Sequence, residues 1–339
     1  MTTRFTRRMA LGVFAAPLAL QPLRALADSS LPDGSVSVTA FGAKGDGVTD
    51  DTDSLVHAHR SGKPVFYPRT EAFYRISHVL SVAASTSSNG AEIRIIGDGM
   101  HPKTIFRVSA NSKPITISGF ILDGGYTGGT LGEWSHGVDL SGAKNVTVTG
   151  NTIRNPYGDC VYVGSANSAV ASTNIQIRNN KLLNPRRCNV AVVCGENVAI
   201  EGNVCVKQVD YVTAIDLEPD VNGFDYVRQV SISRNHFSAK NFISAGVSNG
   251  VDNTGLSIIG NEGRAQVFFH GWENARLRNV AVMQNRFTTT APIGIMLFLE
   301  GIRGGVVSNN VDQSMCGFGY RSIEIRNCDI SLSRNEFCT

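Results

Sequence analysis

Two carboxylates stand two residues apart in Ala214-Ile-Asp-Leu-Glu-Pro-Asp220, as Asp216 and Glu218. On a β-strand this spacing puts both on one face, with Cα atoms roughly 6.6 Å apart. Two acids crowded against one substrate raise each other's pKa, so one serves as proton donor while the other stays ionised. Pro219 ends the strand and the next apolar alternation comes at Val230, leaving a loop that carries Asp220, Asp225 and Tyr226. Loops grafted on a rigid scaffold are where function collects. The plainer readings are a solvated strand with an acidic exit, or a cation site in which Asp216, Glu218 and Asp220 supply the oxygen ligands that suit Ca2+.

Other chemistry-bearing residues are scattered along the chain. Asp159 precedes the apolar strand Cys160-Val-Tyr-Val-Gly164, where a carboxylate either holds a turn or works from a groove edge. Asp139 and Tyr162 stand at the centres of similar short strands, and His270 is followed by Gly271-Trp272. A lone histidine is usually structural, whereas an exposed one among aromatics acts as a sugar contact or general base. Trp272 offers an apolar platform. Arg186, Arg187 and Arg321 are ordinary surface charges unless they hold a carboxylate of the substrate.

The element that must position these groups is a repeat. Val146-Thr-Val-Thr-Gly-Asn151, Ile175-Gln-Ile-Arg-Asn-Asn180, Val198-Ala-Ile-Glu-Gly-Asn203 and Val230-Ser-Ile-Ser-Arg-Asn235 share one pattern, which continues to Asn261, Asn285, Asn310 and Asn335. The asparagines are 29, 23, 32, 26, 24, 25 and 25 residues apart, a near-constant period that predicts a solenoid. Each unit holds short strands of alternating apolar and polar residues, which bury one face only by stacking on the next coil at roughly 4.8 Å. The fold class is therefore all-β, a right-handed parallel β-helix. Stacked asparagines suit an amide ladder, a left-handed turn conformation, or both.

With that register, the strand before each asparagine strand aligns as Gly137-Val-Asp-Leu-Ser141, Cys160-Val-Tyr-Val-Gly164, Asn189-Val-Ala-Val-Val193 and Ala214-Ile-Asp-Leu-Glu218. Period-two alternation sends the third and fifth places outward. One outer strip then gathers Asp139, Tyr162, Asp216, Glu218, Ser248 and His270, followed by Phe268, Met296 with Phe298, and Glu324 with Arg326. Carboxylates that accept from hydroxyls beside aromatic faces are the makings of a sugar-binding groove.

Residues 1–27 read as a twin-arginine export signal: Thr6-Arg7-Arg8-Met9, a short apolar run from Ala10 to Leu20, and Ala25-Leu26-Ala27. The run is too short for a membrane anchor, which needs about 20 apolar residues. Removing it takes the formal charge from +3 to −1, so no basic nucleic-acid footprint remains. A periplasmic or extracellular protein is expected. The seven cysteines are irregularly spaced, which suggests buried thiols, with Cys328 and Cys338 the best placed to pair. Residues 28–110 differ from the repeats and are expected to form an N-terminal cap and the first coils, with repeats over 111–339.

Val38-Thr-Ala-Phe-Gly-Ala-Lys-Gly-Asp-Gly-Val-Thr-Asp-Asp-Thr52 resembles the opening motif of the pectate-lyase-like superfamily, and Val65-Phe-Tyr-Pro68 and Ile95-Ile-Gly-Asp-Gly99 extend the resemblance. Within it, Asp50-Asp51-Thr52 looks like an acidic cluster but suits the cap of a short helix near Ser54. Gly158-Asp-Cys-Val-Tyr-Val-Gly-Ser165 is similar to the Asp-Asp-Cys-Ile-x-Ile-Gly-Ser signature of polygalacturonase-type hydrolases. Asp159 matches its second aspartate; Gly158 replaces the first, and His136 stands where the preceding coil would supply another.

The resemblance implies polysaccharide as the partner and leaves three functions open. A glycoside hydrolase would use Asp216 and Glu218 as paired acids, with Asp159 as accessory and no cofactor. A uronate lyase or C5-epimerase would need a cation or arginine to stabilise enolate-like charge, and would draw on Tyr162, His270 and the arginines. A noncatalytic binding protein would use the same groove.

Overall fold

The computed structural model describes residues 31–96, 103–111, 113–207, 212–220, 223–247, 252–271, 277–289, 295–314 and 321–337. The twin-arginine segment, Ser248, Trp272 and Cys338 lie outside the described residues. The chain is a right-handed parallel β-helix of about 10 turns. One sheet of 12 strands runs from Val36–Ser37 to Asp329–Ser333, and a sheet of 18 shorter and longer strands wraps the other faces.

The repeat positions stack in register. Val146 pairs with Ile175, Ile175 with Val198, and Val198 with Val230. Inward residues such as Val148, Ile177 and Ile200 are fully buried, while the alternate residues between them face outward, as a one-sided strand requires.

The period has its physical cause in a buried amide ladder. Asn180 Nδ2 donates to Val148 O at 2.9 Å and to Asn203 Oδ1 at 3.0 Å. Its own Oδ1 accepts from Asn151 N at 3.0 Å and Asn151 Nδ2 at 3.1 Å. Both amide hydrogens and both lone pairs are thereby used, so a buried polar side chain carries no unmet hydrogen bond. The same pattern runs through Asn203, Asn235, Asn261, Asn285 and Asn310 to Asn335. The left-handed conformation belongs to the preceding residue, for example Asn179 at φ 55° and Arg234 at φ 55°, and not to the ladder asparagines. A second, exposed ladder does use left-handed asparagines: Asn174 Nδ2 donates to Asn145 Oδ1 at 2.9 Å, and Asn197 Nδ2 to Asn174 Oδ1 at 2.7 Å.

At the N-terminal end the helix Thr52–Arg60 packs on the turn Val38–Phe41 and the strand Leu80–Ser81, burying Leu55, Ala58 and His59. Burial pulls the His59 imidazole down to about 4, and its Nε2 meets the Tyr67 hydroxyl at 2.8 Å. The helix starts at Thr52, two residues before the expected point, because Asp50 Oδ1 accepts the Thr52 amide at 3.1 Å and its hydroxyl at 2.6 Å. Asp51 turns instead to the amides of Lys44 at 2.7 Å and Gly45 at 3.0 Å. Among the described residues the cysteines are free thiols, with Cys160, Cys188, Cys194 and Cys205 buried.

Candidate functional site

The outward row on the strands that precede the asparagine sheet runs, coil by coil, Arg107, Asp139, Tyr162, Ala191, Asp216, Ser244, Phe268, Phe298 and Glu324. Ser244 takes the place expected of Ser248. The strand Ile295–Glu300 presents Phe298 and Glu300, while Met296 is fully buried, against the expectation that it faces out. A parallel row holds Gly246, His270, Glu300 and Arg326.

An open cleft lies on this row, lined by Glu133, Trp134, Tyr162, Arg187, Ala191, Val193, Asp216, Glu218 and Asp220. Asp216 and Glu218 both line it, but in different surroundings. Asp216 is half-buried on the floor, and Glu218 is exposed. Burial, with the nearby charges of Glu218 and Asp159, pushes the Asp216 carboxyl up to about 6, against the opposing pull of a hydroxyl donated by Ser244 Oγ at 2.6 Å and of Arg187. Asp220 is also pushed up, by partial burial and by Asp225. The strand after this loop resumes at Tyr226, earlier than the apolar alternation at Val230 suggests.

Tyr162 forms one wall. Its ring stacks on that of His136 with centroids 4.5 Å apart and an 8° tilt, and Trp134 packs edge-on at 6.0 Å. Burial and the surrounding carboxylates hold its hydroxyl well above the usual phenol range. Arg187 is ion-paired with Glu133, and its Nε lies 3.7 Å from Asp159 Oδ1. The turn that carries it is braced by the buried Lys207 ammonium, which donates to the backbone carbonyls of Arg186 and Arg187.

The other candidates sit away from the cleft. Asp159 is fully buried behind it, where Oδ1 accepts the Cys188 amide at 2.7 Å and Oδ2 lies 3.2 Å from His136 Nδ1. Asp139 accepts Arg107 Nε at 2.8 Å and the Ser141 hydroxyl at 2.6 Å and is nearly covered. Asp225 is buried beside the Cys194 thiol. His270 pairs with Glu300 at 2.7 Å, two coils from the Asp216 coil, and its ring lies nearly parallel to those of Phe268 and Phe298. Glu133 and Trp134 were not foreseen: they come from a glycine-rich loop without strand alternation, and only the exposed tryptophan beside His136 marks it. Among the described residues no three His, Cys, Asp or Glu side chains are grouped to hold a metal ion. No helix among them is long and apolar enough to cross a membrane.

No protein-family model matches the chain. The preneck appendage protein of Bacillus phage PZA is 31% identical over 121 residues, which is 33% of this chain and 14% of that protein, and the phage phi29 counterpart matches equally. The chain thus spans about a seventh of the length of the curated relatives it matches.

Solved structures are similar over most of the chain. The tailspike of Escherichia coli bacteriophage HK620, in complex with a pentasaccharide, has a TM-score of 0.68 at 15% identity, covering 89% of this chain and 63% of that one. The exopolygalacturonase of Thermotoga maritima has a TM-score of 0.56 at 11% identity, covering 91% and 93%. The surface adhesin PfbA of Streptococcus pneumoniae has a TM-score of 0.57 at 16% identity, covering 89% and 91%. What this chain shares with all three is the β-helix.

Proposed function

We propose that the protein is an exported glycoside hydrolase that cleaves a polysaccharide in the Asp216 cleft. The observation that carries this reading is the pair Asp216 and Glu218, two carboxylates lining one cleft, Asp216 half-buried on the strand Val212–Leu217 and Glu218 exposed just past its end. Asp216, with its carboxyl raised to about 6, keeps its proton in mildly acidic solution and donates it to the departing glycosidic oxygen. Glu218, exposed beside it, activates a water molecule or attacks the sugar itself. The chemistry needs no cofactor.

Arg187 sits between Glu133 and Asp159 and keeps the Asp216 carboxyl from rising further. Asp159 is a positioning residue in this scheme: it fixes the Cys188 amide and faces Arg187 from behind the cleft. An elimination or epimerisation would need a free cation near the uronate C5, whereas Arg187, the one cation among the described cleft residues, is engaged by Glu133. Calcium would have to bind across Asp216, Glu218 and Asp220.

Noncatalytic polysaccharide binding is the second reading, favoured by the likeness to an adhesin and by the exposed Trp134 and Phe268. The twin-arginine reading of residues 1–27 and a polysaccharide partner both agree with a place outside the cytoplasm. Incubating the protein, with and without Ca2+, with bacterial, algal and plant polysaccharides tests these readings together. New saturated reducing ends without added Ca2+ support hydrolysis. Unsaturated, ultraviolet-absorbing products would establish elimination, and binding without any product would establish an adhesin.

A further inference from the structure

Asp216 stands between two shallow floors. On one side the next coil presents Ala191, and Tyr162 rises beyond it. On the other side the next coil presents Ser244 with Gly246, and Phe268 rises beyond them. The Ser244 hydroxyl donates to Asp216, and Gly246 has no side chain, so among the described residues this second floor is as low as the first.

Phe268 is shaped to end it. Its ring lies against that of Phe298 with centroids 4.6 Å apart and a 12° tilt, close to the roughly 4.8 Å rise of one coil. The two rings therefore stack along the helix axis. Phe298 covers one face of Phe268, and the other face looks back over Ser244 toward Asp216. The Phe268 side is 42% exposed although the residue is large and apolar. Two coils, roughly 10 Å, separate its row from Asp216, enough for one pyranose ring laid flat on the aromatic face with its neighbour reaching the acid.

The charges narrow the ligand. Among the described residues, Glu133, Asp216, Glu218 and Asp220 line the cleft with one cation, Arg187, which Glu133 holds. Beyond Phe268, His270 is paired with Glu300 and Arg326 with Glu324. A uronate chain threading this strip would meet unbalanced carboxylates, whereas an uncharged sugar would present only hydroxyls and C–H faces.

We propose that Ser244, Gly246 and the open face of Phe268 form a second sugar subsite beside Asp216, and that the whole strip takes an uncharged glycan. The subsite rests on the hydrolase reading only for its place next to the bond cleaved. Its test reads binding and not turnover, so binding without cleavage removes the hydrolase and leaves the subsite standing.

The full chain and its Phe268→Ala, Phe268→Leu and Phe268→Trp variants are run by affinity electrophoresis in gels holding dextran, galactomannan, xylan or polygalacturonate. At least one neutral polysaccharide is expected to retard the wild type. Phe268→Leu, which keeps bulk without an aromatic face, and Phe268→Ala weaken that retardation about tenfold, while Phe268→Trp preserves it. Equal retardation of the wild type and Phe268→Leu overturns the subsite. Retardation by polygalacturonate alone, or by none of the neutral polymers, overturns the ligand class.

Discussion

Ser244 donates its hydroxyl to Asp216 Oδ1 at 2.6 Å from the next coil of the solenoid. The two residues are in register, so the asparagine ladder that sets coil on coil also sets this bond. The hydroxyl fixes the carboxyl in place and favours its ionised form, but burial and neighbouring charge outweigh it and leave the group at about 6.

That balance has a sign in stability. Below the ordinary value of 3.8, Asp216 is protonated in both the folded and unfolded chain and contributes nothing. As pH rises the unfolded chain releases its proton first, so the folded state loses ground until the folded value of about 6 is passed. The full loss is about 3 kcal/mol. Asp216→Asn keeps an acceptor for Ser244 and removes the charge, so it is expected to be more stable than wild type at pH 7 and equal to it at pH 3. Denaturant unfolding at both values checks this; an equal difference at both contradicts it.

In the proposed hydrolysis the same group would set the alkaline limb of activity. With Asp216 as the proton donor, kcat/KM falls above about pH 6. Arg187 opposes the upward shift of Asp216, so Arg187→Ala moves the limb to higher pH while weakening the cleft wall held with Glu133. A pH–rate profile whose limb stays put in the variant would remove Arg187 from the scheme.

The ladder makes a separate prediction about the scaffold. Asn203 donates to Ile177 O at 2.8 Å and to Asn235 Oδ1 at 3.0 Å, and accepts from Asn180. Asn203→Leu strands buried groups on two neighbouring coils and is expected to cost about 3 kcal/mol. Chemical denaturation measures it; a loss below about 1 kcal/mol would mean that the coils do not depend on the ladder.

The architecture was readable because a solenoid writes its period into the chain: near-constant spacing of Asn151 to Asn335 and alternation around them carry both the coil and the outward row. The placing of Asp216, Glu218, Tyr162 and Phe268 on one face follows from that alternation. Contacts between coils do not. Nothing adjacent to Asp139 in the chain announces that Arg107 will cover it, nor that the Cys188 amide will bind Asp159. Met296 has outward parity and is nonetheless covered. Glu133 and Trp134 reach the cleft on a loop, where periodicity says nothing.

The most direct test of the central claim compares wild type, Asp216→Asn and Glu218→Gln on a polysaccharide that wild type retains, measuring saturated reducing ends and binding in parallel. Wild type is expected to turn over, and each variant to lose about 1000-fold in kcat while binding persists. Turnover undiminished in Asp216→Asn, or binding without turnover in the wild type, would contradict the account.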